Sequence, residues 1–75
     1  MMLLNTAVAR EIDSELKQQG LKPLALAIAL NVGDRKASAL IRGHDVWTMA
    51  QFEAAAEMLG VGLDVLLVRC ARRLG

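Results

Sequence analysis

The residues best equipped for chemistry in this chain sit together as "DRKASALIRGH", residues 34 to 44. Arg35 and Lys36 follow Asp34 and precede three small residues, Ala37, Ser38 and Ala39. An arginine side chain is a planar fork of donors that grips two acceptors at once, and a lysine is a mobile point charge. Asp34 can accept hydrogen bonds or hold Arg35 in place. This is recognition chemistry rather than catalysis. A catalytic set needs a nucleophile, a base and an orienting group, and the chain has one His, His44, and one Cys, Cys70. That count also excludes an internal disulfide and a Cys-based zinc site. Neither a metal nor a cofactor is expected, and no small-molecule ligand. "GVG" at 60–62 lacks the spacing and strand context of a phosphate-binding loop. The chain is not read as an enzyme.

The elements that position these residues follow from periodicity. Asn5 or Thr6 is a suitable cap for a first helix running to about Gln19, with Val8, Ile12 and Leu16 inward and Gly20 as terminator. "PLALAIALN", residues 23–31, alternates large apolar residues with Ala, a period usually belonging to strands. Ala favours helix over strand, Pro23 suits a first helical position, and no partner strand exists, so this segment is expected to be helical. Asn31, Val32 and Gly33 form a tight turn. A third helix covers Asp34–Arg42, with Ala37, Leu40 and Ile41 inward and Gly43 as terminator. Thr48 and Gln51 have capping-box spacing, and Trp47 and Phe52 stand where a hydrophobic staple would. That starts a fourth helix from Met49 to about Leu59, burying Met49, Phe52, Ala56 and Leu59, with Gly60 closing it. A fifth runs from about Leu63 to Leu74, with Leu63, Leu66 and Leu67 in the core. The expectation is an all-α single domain, residues 1–75, of five helices, with a helix-turn-helix at about 23–42.

Composition agrees with a small folded domain. Of 75 residues, 55% are apolar, and nine Lys and Arg face eight Asp and Glu. No run suits a membrane span, and "MMLL" lacks the basic start of a secretory signal, so a cytoplasmic protein is expected. Overall charge does not point to nucleic acid, but its distribution does. Arg35–Arg42 holds three cations and no acid. A helix of small residues with a few long polar ones fits the DNA major groove, roughly 12 Å wide. Its N-terminal end is the one that reaches base edges in helix-turn-helix docking.

On these residues the chain resembles a known family. Residues 20–67 look like the phage-repressor type of helix-turn-helix, the Cro/C1 or XRE family, with a lambda-repressor-like fold. The resemblance rests on Leu21, Leu26, Ala27, Leu30, Val32, Ser38, Leu40, Gly43, Leu59, Gly60, Val61, Leu63 and Leu67, on "ALIRG", and on "LGVGLDVLL". It implies a double-stranded DNA-binding transcription regulator of prokaryotic or phage type, repressor-like and acting as a dimer. Base readers carry over to Asp34, Arg35, Lys36, Ser38 and Ala39, with Arg35 the principal one. Backbone contacts carry over to Lys22, Arg42 and His44. The family often starts its second helix with Ser or Thr and Gln. Here Lys22 and Pro23 stand there, which caps poorly and weakens phosphate positioning. The outer face of that helix, usually charged, carries Leu24, Ala25, Ile28 and Ala29.

Several residues have two readings. Leu24 and Ile28 are either covered by "MMLL" or form a protein interface. The second alternative would make the chain an interaction module, like an antirepressor or antitoxin. Val65, Val68 and Leu74 exceed a monomer's apolar surface, and a symmetric dimer through the fifth helix accounts for them. Arg69, Arg72 and Arg73 are expected to be solvated and to complement the helix C-terminus. Cys70 is a buried or interfacial hydrophobe. His44 is a backbone contact or an ordinary surface residue, and Trp47 is the staple rather than a base stacker.

Overall fold

The helices end where the chain can turn left-handed. The computed structural model of the protein describes residues 3–75 as α1 (Leu4–Gln18), α2 (Pro23–Leu30), α3 (Asp34–Arg42), α4 (Met49–Leu59) and α5 (Leu63–Leu74). No strand occurs among the described residues. The first four helices share one ending, in which a residue at positive φ precedes an amide that donates back to the last turn. The bonds are Leu21 N–H to the Leu16 carbonyl at 2.8 Å, Val32 to Ala27 at 3.0 Å, His44 to Ala39 at 2.9 Å and Val61 to Ala56 at 3.1 Å. At α2 the left-handed residue is Asn31, with φ 55°. Asn tolerates this conformation better than other residues with a side chain.

The start of α4 is as the spacing predicts. Thr48 N–H donates to the Gln51 side chain at 2.9 Å, and Gln51 N–H donates to the Thr48 hydroxyl at 3.1 Å. Trp47 packs on the core beside buried Phe52. The start of α1 differs from expectation. Its cap is Leu3, which has no side-chain acceptor, and both Asn5 and Thr6 lie inside the helix.

Ile12, Leu16, Leu26, Leu40, Leu66 and Cys70 are completely buried and draw on all the helices except α4, which adds Phe52, Ala55, Ala56 and Leu59. α1 crosses the bundle and meets α3, α4 and α5, so it is the element against which the others are set. Two expected core residues are largely exposed. Met49 sits at the first position of α4 and Leu67 on the flank of α5. Both line an open apolar groove of about 270 Å³ with Leu4, Val8, Trp47 and Phe52. Leu74 errs the other way: it is half-buried and packs on the core, because it follows Leu66 and Cys70 at intervals of one turn.

Arg69 and Arg73 are not merely solvated. Arg69 donates to Glu15 at 3.0 Å, and Arg73 donates to Glu11 at 2.7 Å. The two glutamates are each only 7% exposed. A carboxylate is tolerated at that depth because its charge is paired and one of its oxygens accepts an arginine hydrogen bond.

Candidate nucleic-acid interface

The turn between α2 and α3 sets the direction of α3. Val32 and Asn31 donate into the end of α2, and Gly33 starts α3 in extended conformation. The inner face of α3 is then pinned by Ala37 and Leu40, both fully buried. What remains outside is Asp34, Arg35, Ser38, Ala39 and Arg42. With His44 they line one shallow depression of about 310 Å³. Four of the five residues expected to read bases and two of the three expected to hold the backbone are therefore gathered on one surface. Neither Arg35 nor Arg42 makes an ion pair among the described residues. A surface that leaves guanidinium forks unpaired presents free donors to an external acceptor.

Lys36 and Lys22 stand apart from that surface. The Lys36 ammonium lies 2.6 Å from Asp45 Oδ2, in the loop that follows the same helix. The other carboxylate oxygen of Asp45 accepts from Val46 N–H at 2.8 Å. The Lys36 hydrogen bond, helped by that amide, holds the Asp45 carboxyl below its ordinary pKa. Lys22 caps α2 in extended conformation without a side-chain cap bond, as its residue type suggests. It is exposed and forms no ion pair among the described residues.

The loop after α3 is tied down on two sides. The Asn5 side chain donates to the Asp45 carbonyl at 2.8 Å and accepts from Trp47 N–H at 2.7 Å. The Trp47 indole donates to the Leu40 carbonyl at 2.8 Å. Gly43 has φ 77°, and a Cβ there would lie 3.7 Å from that of Ala9. The space would admit a methyl, but the backbone conformation would not without about 1–2 kcal/mol of strain. His44 is thereby held at a fixed place beside Arg42. Its own position is informative. After α1, α2 and α4 the matching residues are Leu21, Val32 and Val61, and all three pack on the core. Only after α3 is this residue polar and exposed. Asn5 was missed as a site-forming residue because its partners lie 40 and 42 residues on. Its local sequence suggests only a helix cap.

The remaining sites fall as follows. Leu24 and Ile28 are exposed at 55% and 73%. Leu4 lines the groove with Trp47 and Met49 rather than lying on α2. The share of the covering idea that rests on Met1 and Met2 lies outside the described residues. Val65 and Val68 are exposed on α5 beside Asp64, Arg69 and Arg72. Cys70 is buried, and burial, with Glu11 nearby, pushes its thiol pKa up. No metal-holding cluster and no helix long and apolar enough to cross a membrane occurs among the described residues.

The fold itself has a solved counterpart. The crystal structure of the clp gene regulator ClgR from C. glutamicum matches with a TM-score of 0.90, over 100% of this chain and 97% of that one. The two sequences are 23% identical. At that identity the likeness carries the fold alone. No family model matches the chain, and no curated protein does.

Proposed function

We propose that this protein is a sequence-specific double-stranded DNA-binding regulator of transcription, of the Cro/C1 (XRE) kind. α3 enters the major groove, and two copies bind together. The observation that carries this reading is the outer face of α3. Asp34, Arg35, Ser38, Ala39 and Arg42 share one surface with His44, and neither guanidinium group makes an ion pair among the described residues. Small residues in the middle of α3 let its backbone approach base edges. Arg35, at the second position, has the reach to grip the two acceptors of a guanine. Asp34 accepts from a cytosine amino group or orients Arg35. Arg42, His44 and Lys22 bind phosphates. A gene regulator of the same fold, ClgR, supports the regulatory part of the proposal.

Lys36 has a different part from Arg35. Bound to Asp45, it fixes the loop that carries His44, and so positions a contact rather than making one. Selection of bound duplexes from a random library tests the whole reading. Enrichment of a two-fold-symmetric motif is the expected outcome. Absence of any enriched sequence would overturn it.

A second reading is favoured by one observation, the exposure of Leu24 and Ile28 on the same face of α2. It makes the chain a protein-interaction module of the same fold, antirepressor- or antitoxin-like. Replacing both residues by Glu removes that face while leaving α3 intact.

A further inference from the structure

We infer that His44 makes the affinity for DNA rise as the pH falls, through a phosphate contact that its imidazole completes by taking up a proton. The inference rests on the DNA reading of α3 and gives the condition under which one of its backbone contacts forms. The chain has one histidine, and histidine is the side chain whose ordinary change of charge falls between pH 5 and 8. Burial pushes the Cys70 thiol up, away from that range. His44 is exposed at the end of α3, on the depression that it shares with Arg42. Its backbone is fixed there by the bond from its N–H to the Ala39 carbonyl. At the equivalent place after α1, α2 and α4 an apolar side chain packs on the core. The imidazole does not, so it is available to an external group.

The charges around His44 leave its proton for a phosphate to attract. Its side chain makes neither an ion pair nor a hydrogen bond among the described residues. On its own loop, Asp45 has one oxygen taken by Lys36 and the other by Val46 N–H. On α3, Asp34 shares the depression but stands in the first turn, about 12 Å of helix from Arg42. Arg35 and Arg42 line the same surface and are cations. α1 and α2 pack against α3. α2 carries no titratable residue. α1 approaches Gly43 through Thr6 and Ala9. Arg10, the residue after Ala9, is a cation, and Asp13 is paired with Lys17. Among the described residues no carboxylate is thus left at the end of α3 to pair with an imidazolium. A DNA phosphate docked on Arg42 and His44 is such a partner, and the negative end of the α3 dipole favours a cation at the same place.

The effect is large for this molecule because so few cations are free to face DNA. Lys22 and Arg42 bind phosphates whatever the pH, and His44 adds its charge to theirs when protonated. Each copy then neutralises three phosphates instead of two. Two copies therefore add about two to the steepness of the logarithm of affinity against the logarithm of salt. An opposite charge at contact raises the proton affinity of an ionisable group by about tenfold or more. Linkage returns the same factor as tighter binding once the pH is below the titration range of the free imidazole. Binding strengthened in this way is complete at acid pH and is lost as the pH rises through the range of the bound imidazole.

Binding to a mixed-sequence duplex, and to the duplex recovered by library selection, is measured across a salt series at pH 8 and pH 5, the ends of the imidazole range. The proteins are the wild type, H44Q and H44K. The wild type is expected to bind about tenfold or more tighter at the lower pH, and with the steeper slope. H44Q is expected to show the shallow slope at both pH values, and H44K the steep one at both. Any titration common to the three proteins cancels in this comparison. A merely structural role for His44 would weaken both variants without moving the slope. Equal wild-type binding at the two pH values, or an H44Q that keeps the pH dependence, overturns the inference. NMR of the wild type gives a check that needs no variant. The imidazole C–H signals are expected to titrate at higher pH in the complex than in the free chain, and an unmoved midpoint overturns the inference as well. The DNA reading fails separately. An enriched motif bound equally at both pH values leaves that reading standing and removes this one, whereas no duplex bound at either pH removes both.

Discussion

Arg35 and Lys36 are adjacent in sequence and opposite in circumstance. Arg35 is exposed and makes no ion pair among the described residues, and Arg35→Ala is expected to cost about 1–3 kcal/mol at the preferred DNA site, with thermal unfolding unchanged. Titration of the selected duplex against both proteins checks this, and equal affinities would remove Arg35 from the reading. Lys36 is held by Asp45, so K36A and D45N are expected to weaken binding by similar amounts, and the double variant by no more than either single. A double-mutant cycle measures that coupling. If Lys36 instead held a phosphate, K36A alone would lower the salt dependence and D45N would not. The acid side gives a second check. The Asp45 carboxyl is held low by the Lys36 hydrogen bond and then by Val46 N–H. A group with a lowered folded pKa contributes its stability above the ordinary carboxylate value and loses it as pH falls through the lowered one. NMR titration is expected to place the Asp45 midpoint below that of an ordinary Asp, and K36A to move it upward. The exposure of Arg35 was legible in the sequence because it stands at the charged start of a helix whose next turn is Ala37, Ser38 and Ala39. The Lys36 partner was not, because it lies beyond the glycine that turns the chain back.

At the scale of elements, α2 and α5 show what periodicity can and cannot convey. α2 is "PLALAIAL", without a polar residue. Helix was readable from its Ala content and Pro23, but the face was not, since every face is apolar. The structure turns Leu26 and Ala27 inward and leaves Leu24 and Ile28 outside. Replacing Leu24 and Ile28 by Glu is therefore expected to change stability by no more than about 0.5 kcal/mol for each substitution, as read by thermal unfolding. DNA affinity should persist, and its loss would mean that α2 takes part in binding through that face. In α5 the stripe of Leu66 and Cys70 was readable, whereas the partners of Arg69 and Arg73 were not. They are Glu15 and Glu11, more than 50 residues earlier in the chain. Acids one turn apart on α1 look like an ordinary solvated edge until the fold brings α5 over them. R69A leaves the Glu15 carboxylate buried without its donor. The expected loss is about 1–3 kcal/mol, a large part of the stability of a domain this size. E15Q is expected to cost less, because the amide oxygen still accepts from Arg69 and no charge is stranded.

For the whole molecule, dimensions and charge together decide what kind of binding to expect. One copy measures 31 × 24 × 22 Å, and successive major grooves on one face of DNA are about 34 Å apart. On the proposed reading a single copy would serve one groove, and two in contact would have about the right separation to serve two. The formal net charge is only +1, so attraction to DNA cannot come from the chain as a whole. It has to come from the cations left free where α2 begins and α3 ends. Six basic side chains are engaged elsewhere or lie on other helices: Lys17 pairs with Asp13, Lys36 with Asp45, and Arg69 and Arg73 with α1, while Arg10 is on α1 and Arg72 on α5. Lys22 and Arg42 remain for phosphates, and two copies would neutralise about four. The logarithm of affinity should then fall against the logarithm of salt with a slope of about −4, shallow for a dimeric DNA reader. Arg42→Ala, which removes one phosphate contact from each copy, is expected to bring the slope to about −2 and to weaken preferred and unrelated duplexes alike. Binding measured across a salt series on both duplexes checks the two statements together. A wild-type slope near −8 would mean that many more cations reach the DNA, and the small set of free ones at α2 and α3 would no longer describe the interface.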